Sequence, residues 1–280
     1  MNEKIDNQYW SMTEGVFNCL IDSVRTKAFA KAISRTVSKG DIVVDMGTGS
    51  GILALLAARA GAGKVYAVEI DPNNIRTLRE TFRKNGYENV IQVIEGSILE
   101  VTLPEKVDVV IGEMIATALI EELQVLAMNH ILKFAKEDVK VLLNKYDTFV
   151  DIVSNNNSYY DFSFDILRYE YPNESALESA NLSKKALVKS FDFSKPTTDL
   201  DVNTQIELPI IKSGNMNGLR LSGRTTFYDG SSLGSTFAYD YPLILPVSAE
   251  KVKKGDIFRA NLSYKVCSGL GNLKFSLTRI

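Results

Sequence analysis

The chain has 280 residues, 45% of them hydrophobic and 24% charged, with Lys+Arg 32 against Asp+Glu 34 and a net charge of −2. That balance suits a globular enzyme with ample core and leaves no electrostatic footprint for a nucleic-acid partner. Cys19 and Cys267 are too few and too far apart for a disulfide framework or a metal site, no apolar run reaches the ~18 residues of a membrane span, and MNEKIDNQYW lacks the apolar core of a signal peptide, so a cytoplasmic location is the expectation.

Residues 1–40 are expected to form a helical lid segment, because Phe17, Leu20, Ile21, Val24 and Ala28 recur at helical spacing and Phe29, Ala32 and Ile33 continue the apolar face. The stretch from Ile42 to Glu69, IVVDMGTGSGILALLAARAGAGKVYAVE, follows. It reads as a strand ending in Asp45, a turn carrying Gly47, Gly49 and Gly51, a helix, and a second strand closing on Glu69. Such a unit binds a nucleoside-bearing cofactor at the carboxyl edge of a sheet. A dinucleotide turn wants Gly-x-Gly-x-x-Gly, but here the third glycine comes one residue early and Ile52 stands where that pattern wants Gly or Ala. Asp45 also suits an ammonium better than a pyrophosphate. Both features fit S-adenosyl-L-methionine, with Asp45, Gly47, Thr48, Gly49 and Gly51 at the methionyl end and Glu69 with Ile70 at the ribose.

Strands near 42–46, 65–69, 90–94, 107–112 and 139–145 alternate with helices near 51–60, 72–85 and 118–136, as in an α/β, Rossmann-like domain over 41–146 with a parallel sheet covered on both faces. The fourth strand ends in Gly112-Glu113, and the next segment supplies Glu121 and Glu122 as a helix is expected to begin. Carboxylates brought together there would hold a cationic amine or guanidinium and aim its nitrogen at the methyl group; the alternative is that Glu121 and Glu122 only decorate a first helical turn. His130, the single histidine, falls within a helix far from these motifs and reads as structural.

From about residue 147 helical periodicity gives way to turn signals at 154–157, 213–218, 229–232 and 268–271, separated by β-rich stretches at 162–167, 204–211, 219–227, 242–247, 258–266 and 273–277. The expectation is an all-β domain over 147–280, sandwich or barrel, with a short helix from Asn173 to Asn181. Tyr159, Tyr160, Tyr169 and Tyr171 read as its surface or core, Asp240 as flanking a turn, and Lys251, Lys253 and Lys254 as a solvated turn.

Three segments resemble the protein arginine methyltransferase family. The run from Glu95 to Met114 resembles the approach to that family's paired-glutamate loop, whose glutamates stand nine positions apart, as Glu113 and Glu122 do. Asp22-Ser-Val-Arg25-Thr26 resembles the helix whose arginine grips the cofactor carboxylate, and Val65-Tyr-Ala-Val-Glu69 resembles the ribose-binding segment. The resemblance implies a C-terminal β-barrel, Ser97 and Ile98 beside the adenine, and Glu113, Glu122 and Glu121 as catalytic candidates, with Glu113 also near the cofactor. The chain departs from the family where Glu113-Met-Ile-Ala-Thr lacks both aromatic residues of the loop. Tyr239-Asp240-Tyr241 stands for the Thr-His-Trp triplet, Leu99 replaces the adenine-side acid, and Tyr9 and Trp10 only echo the lid aromatics. The expected acceptor is a protein or a small molecule bearing an amine or guanidine, with a homodimer left open; a small-molecule or RNA methyltransferase and a non-catalytic cofactor-binding scaffold are the alternatives.

Overall fold

The computed structural model describes residues 13–171 and 179–280. The expected N-terminal helix is two helices, α1 (Thr13–Ile21) and α2 (Ser23–Thr36). They break at Asp22, whose extended backbone leaves the helix and whose carboxylate accepts from the Val24 and Arg25 N–H groups at 3.1 and 3.0 Å. Those are first-turn donors that no helix can satisfy by itself. One face of α2 buries Arg25, Phe29, Ala32 and Ile33.

A parallel sheet follows, built from β1 (Ile42–Met46), α3 (Ile52–Arg59), β2 (Lys64–Glu69), α4 (Pro72–Lys84), β3 (Ile91–Glu95), β4 (Val107–Gly112), α5 (Gln124–Ile131) and β5 (Ala135–Val141), in the order β3-β2-β1-β4-β5. Val43, Val44, Val65, Ala67, Val107 and Val109 are fully buried, as strands covered on both faces must be. Strand order reverses between β1 and β4, and ligands of such sheets bind outside the carboxyl ends at that point. Gly112, at φ +127, lets β4 end there: a Cβ on it would stand 2.6 Å from the Met46 carbonyl oxygen. Gly51 likewise lets α3 pack, since its Cβ would stand 2.7 Å from the Phe82 ring.

The helix expected over 118–136 is shorter than its apolar content suggested. Thr117, Ala118, Leu119 and Ile120 are four consecutive buried residues, which one face of a helix cannot achieve. The chain instead forms a loop with one 3₁₀ turn (Thr117–Leu119), and α5 starts only at Gln124. The strand expected at 139–145 is likewise two: after β5 the chain turns at Leu142 and leaves the parallel sheet along β6 (Leu143–Ser154).

The remaining strands are β7 (Ser158–Tyr159), β8 (Phe162–Ser163), β9 (Arg168–Tyr169), β10 (Ala180–Asn181), β11 (Ala186–Asp192), β12 (Asp201–Pro209), β13 (Gly214–Phe227), β14 (Ser232–Leu233), β15 (Leu243–Val252), β16 (Ile257–Lys265) and β17 (Lys274–Arg279). All pair antiparallel. They form a seven-stranded sheet along β10-β6-β13-β15-β9, with β11 on β6 and β14 on β13, a three-stranded sheet β12-β16-β17 and the two-stranded hairpin β7-β8. These ladders do not by themselves close a barrel. Within the stretch expected as a strand at 162–167 only Phe162 and Ser163 pair; Phe162, Phe164 and Ile166 are exposed, so no core fixes a longer register. The turn expected at 213–218 is the bulged start of β13. β11 carried no turn signal and was not foreseen. Tyr9, Trp10 and the helix expected from Asn173 fall wholly or largely outside the described residues. Among the described residues no helix is long and apolar enough to cross a membrane.

Candidate active site

The carboxyl ends of β1, β2 and β4 meet the glycine turn beneath α1. Gly47, Gly49 and Gly51 all take left-handed backbone, at φ +62, +53 and +80. A Cβ on Gly47 would stand 3.3 Å from the Met114 sulfur and one on Gly49 3.5 Å from Val16, so α1 and the loop after β4 wall the turn. Asp45 is fully buried; its Oδ2 accepts from the Thr48 hydroxyl at 2.6 Å and its Oδ1 has no hydrogen-bond partner among the described residues. Burial pushes this carboxyl up to about 7. Glu69, at the tip of β2, is fixed on three sides: Oε2 accepts from Gly49 N–H at 2.8 Å, and Oε1 from Ile70 and Asp71 N–H at 3.0 and 2.9 Å. Thr48 and Ile70 thus brace the two acids. Ser97 and Ile98 follow the tip of β3, with Ile98 buried and the Ser97 hydroxyl accepting from Leu99 N–H.

This cradle fits S-adenosyl-L-methionine. An orphaned buried acid oxygen beside a glycine turn wants an ammonium and would repel a phosphate. A braced carboxylate at the second strand tip is placed for a ribose diol.

The two ends of the loop after β4 come together, because Gln124 Oε1 accepts from Met114 N–H at 2.9 Å and closes its neck. Glu113 therefore starts the loop and Glu122 ends it, both ahead of α5, and a first-turn role for Glu121 and Glu122 falls away. Glu113 Oε2 receives Arg25 Nε and Nη2 at 3.1 and 2.6 Å, and Oε1 accepts from Ile115 N–H at 2.8 Å. Arg25 also donates to the Cys19 carbonyl at 3.1 Å and lies 5.0 Å over the Phe29 ring. Glu122 makes no hydrogen bond among the described residues. Burial first, then the charges of Glu113 and Glu121, push its carboxyl up to about 8. Glu121 stands nearer the rim, where its carboxylate accepts from the Tyr169 hydroxyl. Tyr169 and Tyr171 both lie against Tyr241, with ring centroids 6.2 and 4.8 Å away.

Within the loop, Ala118 and Leu119 are both at φ +57, a conformation that costs non-glycine residues about 1–3 kcal/mol each and persists only where the surroundings impose it. The β domain supplies those surroundings. Tyr146 Oη accepts from Ala118 N–H at 3.0 Å, Cys267 N–H donates to the Leu119 carbonyl at 2.8 Å, and Ser268 and Gly269 N–H both reach the Ile120 carbonyl at 2.9 Å. Asp240, expected to flank a turn, is buried and accepts from Tyr146 at 2.7 Å; burial pushes it up to about 7. Burial also pushes the Cys19 thiol up to about 12, which makes it a poor nucleophile. His130 Nε2 lies 2.8 Å from the Val101 carbonyl, as a structural histidine would. Tyr146 carries no motif, and although Tyr169 and the turn at 268–271 read as parts of the β domain, no sequence signal ties any of the three to this site.

Comparison with known proteins bears on this arrangement. Residues 25–143 match the family model described as ribosomal protein L11 methyltransferase (PrmA), over the part of the chain that holds the parallel sheet. An uncharacterized protein, MJ1452, of Methanocaldococcus jannaschii is 37% identical over 93% of this chain and 95% of its own length. Protein arginine N-methyltransferase PRMT10 of Oryza sativa subsp. japonica is 31% identical over 77% of this chain, which spans 66% of that longer protein. Among solved structures, the Trypanosoma brucei PRMT1 enzyme–prozyme heterotetrameric complex with AdoHcy superposes with a TM-score of 0.79 at 23% identity, covering 96% of this chain and 94% of its own. The matches, the fold and the cradle agree: the chain is a divergent member of the protein arginine methyltransferase family, built on an S-adenosyl-L-methionine-dependent methyltransferase fold.

Proposed function

We propose that this protein methylates a nitrogen of a cationic acceptor, a protein arginine, held between Glu113 and Glu122. The observation that carries the reading is Glu122: a half-buried carboxyl beside two other glutamates, without a hydrogen bond among the described residues, that a guanidinium would satisfy. Residues 1–40 act as the lid, 41–146 hold the cofactor and 147–280 face the acceptor. Arg25 takes the methionyl carboxylate, Asp45 with the glycine turn the amino end, and Glu69 the ribose hydroxyls, while Ser97 and Ile98 flank the adenine. When bound, S-adenosyl-L-methionine supplies the electrophilic methyl group. Glu113 and Glu122 orient the acceptor nitrogen for in-line attack and concentrate positive charge where water is excluded. Tyr169, Tyr171 and Tyr241 offer ring faces at the rim, in place of the aromatic residues the loop lacks. A protein acceptor is favoured because the family model is described by a ribosomal protein substrate and the rice relative by protein arginine.

Transfer of labelled methyl from S-adenosyl-L-methionine into a cell extract, split by protease, nuclease and size filtration, tests the acceptor. Label in protease-sensitive material that hydrolyses to methylarginine is the expected result. Label that passes the filter or is lost to nuclease moves the acceptor to a small molecule or RNA. No label despite cofactor binding leaves a scaffold.

The pH dependence has a definite sign. With its carboxyl raised to about 8, Glu122 is largely protonated at neutral pH and must lose that proton to hold a cation. Transfer kcat/KM should therefore rise about tenfold per pH unit below 8 and level off above it. The contribution of the same group to stability runs the other way. It is present in full below the unfolded value of 4.5 and lost as pH rises through about 8. A rate flat from about pH 6 to 9 would contradict this role for Glu122.

A homodimer belongs to the same reading. Phe17, Leu20, Ile21 and Val24 leave an apolar helix face exposed, and Tyr160 and Phe162 do so on the β7–β8 hairpin. In a second copy each patch can cover the other. Light scattering should find a dimer that Phe162→Asp splits while cofactor affinity holds; a monomeric unsubstituted protein would rule the pairing out.

A further inference from the structure

We infer that the β domain is a working part of the transfer site: Tyr146, backed by Asp240, and the Cys267–Gly269 turn clasp the loop 117–120 in its left-handed turn and so set where Glu121 and Glu122 stand. The inference rests on the glutamate reading proposed above. Two consecutive non-glycine residues at φ +57 do not keep that shape unaided, since the left-handed region brings Cβ against the following carbonyl. Ala118 N–H and the carbonyls of Leu119 and Ile120 all find their partners in the β domain. Thr117 adds a fourth anchor by donating to the Tyr241 carbonyl.

Tyr146 is the centre of the clasp. Its hydroxyl has one proton, which goes to Asp240 Oδ1 at 2.7 Å, so the lone pair is left to accept from Ala118 N–H at 3.0 Å. Asp240 thereby fixes the direction in which Tyr146 accepts. Gly223 makes room for the pair, since a Cβ on it would collide with the Tyr146 hydroxyl and with Asp240. Both are buried behind the loop, where the Tyr146 hydroxyl is engaged by Asp240 and Ala118, while Asp240 Oδ2 has no hydrogen-bond partner among the described residues. They are positioning residues. Glu121 and Glu122 follow the clasped turn by one and two residues, so a change in its backbone would swing both carboxylates away from Glu113.

Tyr146→Phe tests the clasp in the full chain with S-adenosyl-L-methionine bound. Amide hydrogen exchange over residues 117–122 should speed up by about tenfold or more, while exchange in β1 to β4 is unchanged and cofactor affinity stays within about twofold. With a synthetic arginine peptide and labelled cofactor, kcat should fall by about tenfold or more while KM for the cofactor holds. Adding Ala118→Gly, which removes the cost of the left-handed turn, should restore much of that kcat. Asp240→Asn, a milder change that keeps the Oδ1 acceptor, should loosen the same peptide by a smaller factor and guards against a Tyr146 variant that does not fold. Loop exchange that stays at the unsubstituted rate, or that rises equally throughout the chain, overturns the clasp. If Glu122→Gln leaves turnover intact while Tyr146→Phe still loosens the loop, it is the glutamate reading that has failed and not the clasp.

Discussion

Glu122→Gln is expected to lower kcat by about 10²–10³ while leaving cofactor affinity within about twofold. The amide has the same shape and reaches the same place, so what is lost is the charge that a cationic nitrogen needs in an enclosed site. Unlike Glu113, Glu122 forms no ion pair among the described residues, and its carboxyl sits at about 8 because burial and two neighbouring glutamates disfavour the charge more than Arg25 favours it. The folded protein bears that cost whenever Glu122 ionises without a ligand. The same substitution should therefore raise the melting temperature above about pH 8, where the unsubstituted site carries the unpaired charge. Glu121→Gln should be far milder, because Glu121 is already engaged by the Tyr169 hydroxyl at the rim. Thermal melts at two pH values with single-turnover transfer measure all of this. An active Glu122→Gln enzyme without the alkaline gain in stability would remove Glu122 from the acceptor site.

Where one residue type is dictated by a local constraint, the sequence was legible. The glycine turn, the acid at each of two strand tips and the apolar runs of a doubly covered sheet each follow from backbone geometry or burial acting over a few residues. They single out Asp45, Gly47, Gly49 and Glu69, which lie together at the carboxyl ends of β1 and β2. The structure sets Arg25 against Glu113, a contact between residues 88 apart in the chain that has no local signature. The loop after β4 was misread for a related reason. Its apolar residues look helical in composition, yet they are buried on all sides because the β domain closes over them. The partners that enforce this, Tyr146 and the Cys267–Gly269 turn, lie about 30 and 150 residues further on. In the β domain β12, β13, β15, β16 and β17 showed themselves in the sequence, whereas β11 and most of β6 did not. Nor did the short exposed strands, because nothing on their outer face selects a residue type.

Arg25→Ala is expected to be the most damaging single change, because Arg25 belongs to both halves of the site. Its side chain and that of Glu113 are 5% and 6% exposed, and among the described residues the guanidinium is the one ion-pair partner of Glu113. Removing it leaves a buried carboxylate uncompensated, which costs about 3–5 kcal/mol. Under the proposed roles it also removes the cation that meets the methionyl carboxylate, so cofactor affinity should fall about 100-fold. Arg25→Lys should recover only part of either loss, since an ammonium cannot reproduce two donors to one oxygen and a third to the Cys19 carbonyl. The two losses can be separated. In Arg25→Ala/Glu113→Gln the buried partner is neutral, so thermal stability should return by a large part of the deficit. Cofactor affinity, measured by calorimetry, should not return with it. If affinity recovers along with stability, Arg25 serves only to neutralise Glu113, and the methionyl carboxylate must find its cation elsewhere. If neither recovers, the pair is a folding unit of α2 and β4, and its place in the transfer site would be incidental.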